Sequence, residues 1–126
     1  MMNKHMLTIA LTMLTHPVCA AELQNGDVIY CTSDFFYGAT PRDSKVHPYV
    51  AENFRISLSK TSVKFGSSGY FKDTVMPIEK LKPWAATAQD DDSTFQLHTY
   101  NEEISFTYAS SNSFAMALMK GSCNKF

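Results

Sequence analysis

The sequence has no apolar run approaching the ~20 residues of a membrane-spanning helix, so no span of that kind is expected. It has no glycine-rich phosphate loop and no pair of carboxylates placed for acid–base work, which removes the commonest signatures of nucleotide and hydrolytic chemistry. It carries no N-x-S/T sequon, which favours a bacterial over a eukaryotic source. An excess of one charge is also missing, with 11 Lys plus Arg against 12 Asp plus Glu. Such a balance gives no electrostatic drive toward nucleic acid or an anionic membrane. Cysteine is scarce, at three residues, and their positions are what the chain says most clearly.

Residues 1–20 read as a signal peptide. Lys4 lies in a short polar start, an apolar run covers 6–14, and Pro17 precedes Val18-Cys19-Ala20 at the expected cleavage point. Lipidation of Cys19 would need a small residue before it and Leu three back, where Val18 and His16 stand. Cleavage after Ala20 removes Cys19 and leaves Cys31 and Cys123 near opposite ends of a single exported domain, 21–126. Two thiols in an exported domain are expected to pair. The loop so closed is about 93 residues long, and constraining it contributes on the order of 4–5 kcal/mol. Most of the methionines leave with the leader; Met76, Met116 and Met119 remain, too few for a Met-rich binding face.

Period two dominates the mature domain. Phe54, Ile56 and Leu58 alternate with Arg55, Ser57 and Ser59, and Val63 and Phe65 flank Lys64, giving a hairpin with one dry face. Phe95, Leu97 and Thr99 form a second hairpin with Ile104, Phe106 and Tyr108 across Asn101-Glu102-Glu103. Phe114, Met116 and Leu118 open a last strand, and the first runs from Asp27 to Cys31 with Tyr37 as its far limit. Trp84 to Ala88 reads as a further short strand, and Pro77-Ile78-Glu79-Lys80-Leu81 as at most one helical turn. The expected fold is an all-β antiparallel meander of six to eight strands, a closed barrel in preference to a sandwich, with one disulfide. The terminal Phe126 is a feature of outer-membrane barrels, yet Asn124, Ser122 and Lys120 occupy positions that lipid would require to be apolar.

Candidate chemistry is thin. The triplet Asp90-Asp91-Asp92 cannot aim three carboxylates at one calcium ion and reads as a solvated turn. Only His47 and His98 survive cleavage, too few for a zinc site with oxidised cysteines. Gly66-Ser67-Ser68-Gly69 is one residue short of a nucleophile elbow and reads as a β-turn. Catalytic residues, a metal and a cofactor are therefore not assigned. The segment 38–52, rich in Pro and charge and without alternation, is the expected binding loop. Arg42, His47 and Tyr49 within it, with Trp84, the lone tryptophan, are the candidate binding residues. Phe35-Phe36-Tyr37 and Tyr70-Phe71 place apolar side chains on both faces of strands, which calls for a ligand, a lid or a partner on one side.

The layout of leader, Tyr30-Cys31, β-meander and terminal cysteine resembles the periplasmic lysozyme-inhibitor families of Gram-negative bacteria. Ser68-Gly69-Tyr70 and Lys120-Gly121 are similar to their serine-glycine and lysine-glycine inhibitory motifs. Those motifs lie close together in the families and about fifty residues apart here, and the tyrosine-containing second motif is absent, so the likeness is one of analogy. The expectation is a monomeric, non-enzymatic binding protein of the periplasm or the extracellular space. It would act on a protein partner as an inhibitor or immunity-type protein. The alternatives are a carrier of a small apolar ligand inside the barrel and a structural envelope protein. N-terminal sequencing of the exported protein should begin at Ala21; a mature chain that retains Cys19 would remove the basis for pairing the other two cysteines.

Overall fold

The computed structural model describes residues 22–40, 42 and 45–125; the expected leader lies outside them. Among the described residues nine strands occur in order: β1 (Val28–Ala39), β2 (Val46–Pro48), β3 (Asn53–Leu58), β4 (Ser62–Phe65), β5 (Val75–Lys82), β6 (Ala85–Gln89), β7 (Ser93–Tyr100), β8 (Glu103–Ser111) and β9 (Met116–Lys125). Every pairing is antiparallel between neighbours, and β9 returns to pair with β1, closing an eight-stranded barrel to which β2 is added along the far end of β1. Closure leaves the meander without two long free edges. Cys31 and Cys123 face each other directly across the closing seam, Cα atoms 4.0 Å apart, and form a disulfide buried in the interior.

Alternation puts apolar side chains inward on every long strand. On β3 it buries Phe54, Ile56 and Leu58 and exposes Arg55 and Ser57, whereas β1 and β9 also expose Phe35, Tyr37, Met116 and Leu118 on the outer face. The β3 pattern is the reverse of a lipid-facing strand. Among the described residues no helix is long and apolar enough to cross a membrane. An eight-stranded barrel is just wide enough for side chains to fill. Ile29, Ile56, Leu58, Val63, Leu97 and Ile104 occupy the half near the N-terminus, where Leu23 closes the end and its N–H donates to the Pro83 carbonyl at 2.9 Å. Phe54, Phe65, Phe71, Phe95, Phe106 and Tyr108 stack toward the other end, with ring centroids 4.4–6.2 Å apart. Such ring pairs add about 0.5–1.5 kcal/mol each beyond area burial.

Three expectations are corrected. The expected helical turn at 77–81 is part of β5: the register slips between Ile78 and Leu81, so Glu79 and Lys80 both face outward. That bulge spaces two inward residues by three, which imitates a helical period. Tyr70 and Phe71 do not lie on a strand; they sit in the 66–74 connection between β4 and β5. The segment 38–52 is more regular than its composition suggests, since β1 extends to Ala39 and β2 pairs back onto it.

A second bulge, between Ser33 and Phe35 of β1, shapes the seam. Gly121 lies opposite Ser33, and a Cβ there would collide with the Thr32 carbonyl oxygen and come within 2.7 Å of the Ser33 Cα. The glycine of the Lys120-Gly121 pair thus has a packing reason. Gly121→Ala should lower stability by about 2–3 kcal/mol or more in urea unfolding. Gly66→Ala, whose Cβ would meet the Arg55 carbonyl oxygen at an ordinary contact distance of 3.6 Å and which has no positive φ, should be neutral or stabilise by up to about 1 kcal/mol.

Candidate functional site

The barrel has two unlike ends. The turns β3–β4, β5–β6 and β7–β8 lie at the end closed by Leu23, whereas β1–β2, 66–74, β6–β7 and β8–β9 gather at the other. The second end carries a concave surface lined by aromatic rings, and it grows out of the β1 bulge. Ser33, the buried polar residue, accepts from the Glu52 N–H through Oγ at 2.7 Å and donates its own N–H to the Glu52 carbonyl at 2.8 Å. Three residues earlier, the Tyr49 N–H donates to the Phe36 carbonyl at 2.9 Å. The chain 49–52 is thereby sewn to β1, and the Tyr49 ring lies over Gly38, whose missing Cβ would fall within it.

The facing wall comes from the 66–74 connection. Phe71 buries its ring among Phe54, Phe65 and Tyr108. Burying a phenyl ring contributes about 1.5–3 kcal/mol, enough to offset ordering of one or two loop residues; backbone bonds from Asp73 to Gly66 and from Lys72 to Gly69 tie down more. Tyr70 is the adjacent residue and is left half outside. Its N–H donates to Glu52 Oε1 at 3.2 Å, and its ring packs edge-on against Phe36, 5.0 Å between centroids.

Between these walls lies a cavity of about 480 Å³ bordered by Phe36, Tyr49, Glu52, Tyr70, Asn112 and Met116. A neighbouring one of about 370 Å³ shares Tyr70, Ser110 and Asn112 and is bordered by Asp90, Asp91 and Asp92. Neither lining contains Lys, Arg, His or Cys. The Asp triplet is the β6–β7 turn, with Asp90 Oδ1 accepting from the N–H groups of Asp92 and Ser93. Asn112 Oδ1 likewise accepts from the N–H groups of Phe114 and Ala115. A larger concavity of about 680 Å³ lies outside β5 and β6 at the bulge, bordered by Glu79, Lys80, Lys82 and Thr87 without an aromatic ring. Among the described residues no group of three His, Cys, Asp or Glu could hold a metal ion.

Of the residues singled out from sequence, Arg42, His47 and Tyr49 lie at the aromatic end. Arg42 is exposed in the β1–β2 connection, His47 is exposed in β2 opposite Gly38, and Tyr49 borders the cavity. Trp84 does not join them: it is in the β5–β6 turn at the opposite end, 60% exposed, with Lys82 Nζ 5.9 Å from its ring centroid. Ser68 and Lys120 are also apart. Ser68 borders a groove with Tyr30, Asn53 and Arg55; Lys120 borders one with Phe35, Gln96 and Leu118. The sequence pattern does not single out Glu52, Asn112 or Met116, and it keeps Tyr70 and the Asp triplet apart. Their one shared signal is position in connections that an antiparallel meander brings to the same end.

No protein-family model matches this chain, and no curated protein or solved structure matches it either.

Burial pushes the Tyr70 hydroxyl up to about 12, helped by its hydrogen bond to Tyr108 and by the phenolic charge it would share with that ring. A folded value above the unfolded one means that the neutral phenol stabilises the fold fully below about pH 10. That contribution is lost as pH rises through about 12. In a ¹³C-tyrosine titration the Tyr70 ring should titrate near 12 and move down toward its ordinary value in Tyr108→Phe. A Tyr70 titration near 10 in the unaltered protein would mean that the hydroxyl is open to water.

Proposed function

We propose that this chain is an exported, non-enzymatic binding protein that acts as a monomer on a protein partner in the periplasm or outside the cell. Inhibition of a hydrolase or neutralisation of a toxin is the job that suits it. The carrying observation is a core filled to its end by stacked aromatic rings while Tyr49 and Tyr70 stay 42% and 46% exposed at one rim, with Phe114 exposed in the β8–β9 connection at the same end. Half-exposed aromatics held rigid by their own backbone bonds are the usual anchors of protein recognition. The filled interior favours this over a carrier of a small apolar ligand, which would need that space. The disulfide and the expected leader support export.

Mature oxidised protein, immobilised and exposed to envelope extract and culture supernatant of its host, should retain a partner that can then be titrated. Tyr49→Ala should weaken that partner by about tenfold or more. Arg42→Ala and His47→Ala should weaken it less, and Trp84→Ala, at the far end, should leave it unchanged. Retention of no protein would leave the structural envelope role standing in its place, and a loss confined to Trp84→Ala would move the surface to the other end.

A further inference from the structure

We infer that the mouth between Tyr49 and Tyr70 docks one basic side chain, arginine or lysine, displayed on a protruding loop of a protein partner. This deepens the binding reading given above and rests on it. The mouth is walled by phenol rings and floored by Phe36, so the occupant must tolerate apolar contact along its length. A basic side chain does, because its alkyl stem packs while its head stays polar. Aromatic faces also attract cations directly.

Charge decides the sign of the occupant. Glu52 borders the mouth, Asp90, Asp91 and Asp92 border the neighbouring cavity that shares Tyr70, Ser110 and Asn112 with it, and no lysine or arginine borders either. Arg42, Lys45 and Lys72 belong to connections at this end but lie outside both linings. Glu52 is fixed by the Tyr70 N–H and by the paired bonds from its backbone to Ser33, so its charge is presented without reorganisation. A neutral polyhydroxylated ring is the competing occupant, but it needs directional partners, and many here are engaged. Asn112 Oδ1 and Asp90 Oδ1 each accept two backbone N–H groups, and the Tyr108 hydroxyl is bonded to Ser93 Oγ at 3.1 Å. A cation needs only the field, which those bonds leave in place. The depth of the site suits one side chain: Phe71, beneath Tyr70, is fully buried, and the barrel below is packed.

The test is an amide-shift titration of the mature, disulfide-bonded protein with Nα-acetyl-arginine methylamide. Its neutral isostere Nα-acetyl-citrulline methylamide and N-acetylglucosamine serve as comparison probes. Expected are saturable shifts at Tyr49, Tyr70 and Ser110 with the arginine probe, about tenfold tighter than with citrulline. They should weaken severalfold between about 20 and about 300 mM salt. Tyr49→Ala and the surface pair Asp91→Asn/Asp92→Asn should each reduce them, with unchanged amide dispersion elsewhere as evidence of folding. Equal affinity for arginine and citrulline, no saturable shift at the mouth, or saturation by the sugar alone would each overturn the inference. A captured partner that binds Asp91→Asn/Asp92→Asn and Tyr49→Ala as tightly as the unaltered protein would overturn it while leaving the wider binding reading intact.

Discussion

The seam between β1 and β9 is the constraint on which the other features depend. It joins the two ends of the folded chain, and its contacts are separated by about ninety residues, so nothing local forms it. The disulfide near the Ile29–Lys125 end of the seam removes much of the entropy that favours an open chain. What the seam produces is more than closure. Its bulge at Ser33–Phe35 turns Ser33 toward Glu52, and that pairing delivers Tyr49 and Tyr70 to the rim from two distant parts of the sequence. Gly121 lets β9 track the bulge closely enough for the seam to stay paired on both sides of it.

Much of this fold is legible in the chain because most strands have one dry face. Where that holds, as in Phe54-Arg55-Ile56-Ser57-Leu58, alternation reads directly as a wall of the barrel. The disulfide is legible for a different reason: removal of the expected leader would leave two thiols with no other partner to choose. The failures fall where the backbone departs from period two. In β5 the bulge spaces Ile78 and Leu81 like a helical turn. In 66–74 an adjacent pair of aromatics points one ring into the core and leaves the other half exposed without any strand. Composition groups Trp84 with the loop residues, and topology separates them by the length of the barrel.

The rim residues share this difficulty. Glu52, Tyr70, Asp92 and Asn112 are spread over about sixty positions, and each has an ordinary local role in a turn or a connection. Only the meander brings them together, by sending alternate connections to the same end. With the barrel interior filled, the recognition proposed above falls to that rim, where the two cavity linings carry carboxylates and no lysine or arginine.

One small contact at the opposite end has its own effect. Lys125 Nζ donates to the Glu22 carbonyl and lies 3.3 Å from Asp27 Oδ2, so the first and last described segments leave the barrel side by side. A tether, label or fused domain attached to either would therefore emerge behind the molecule. The aromatic face would stay turned outward, as on a protein mounted on a stalk.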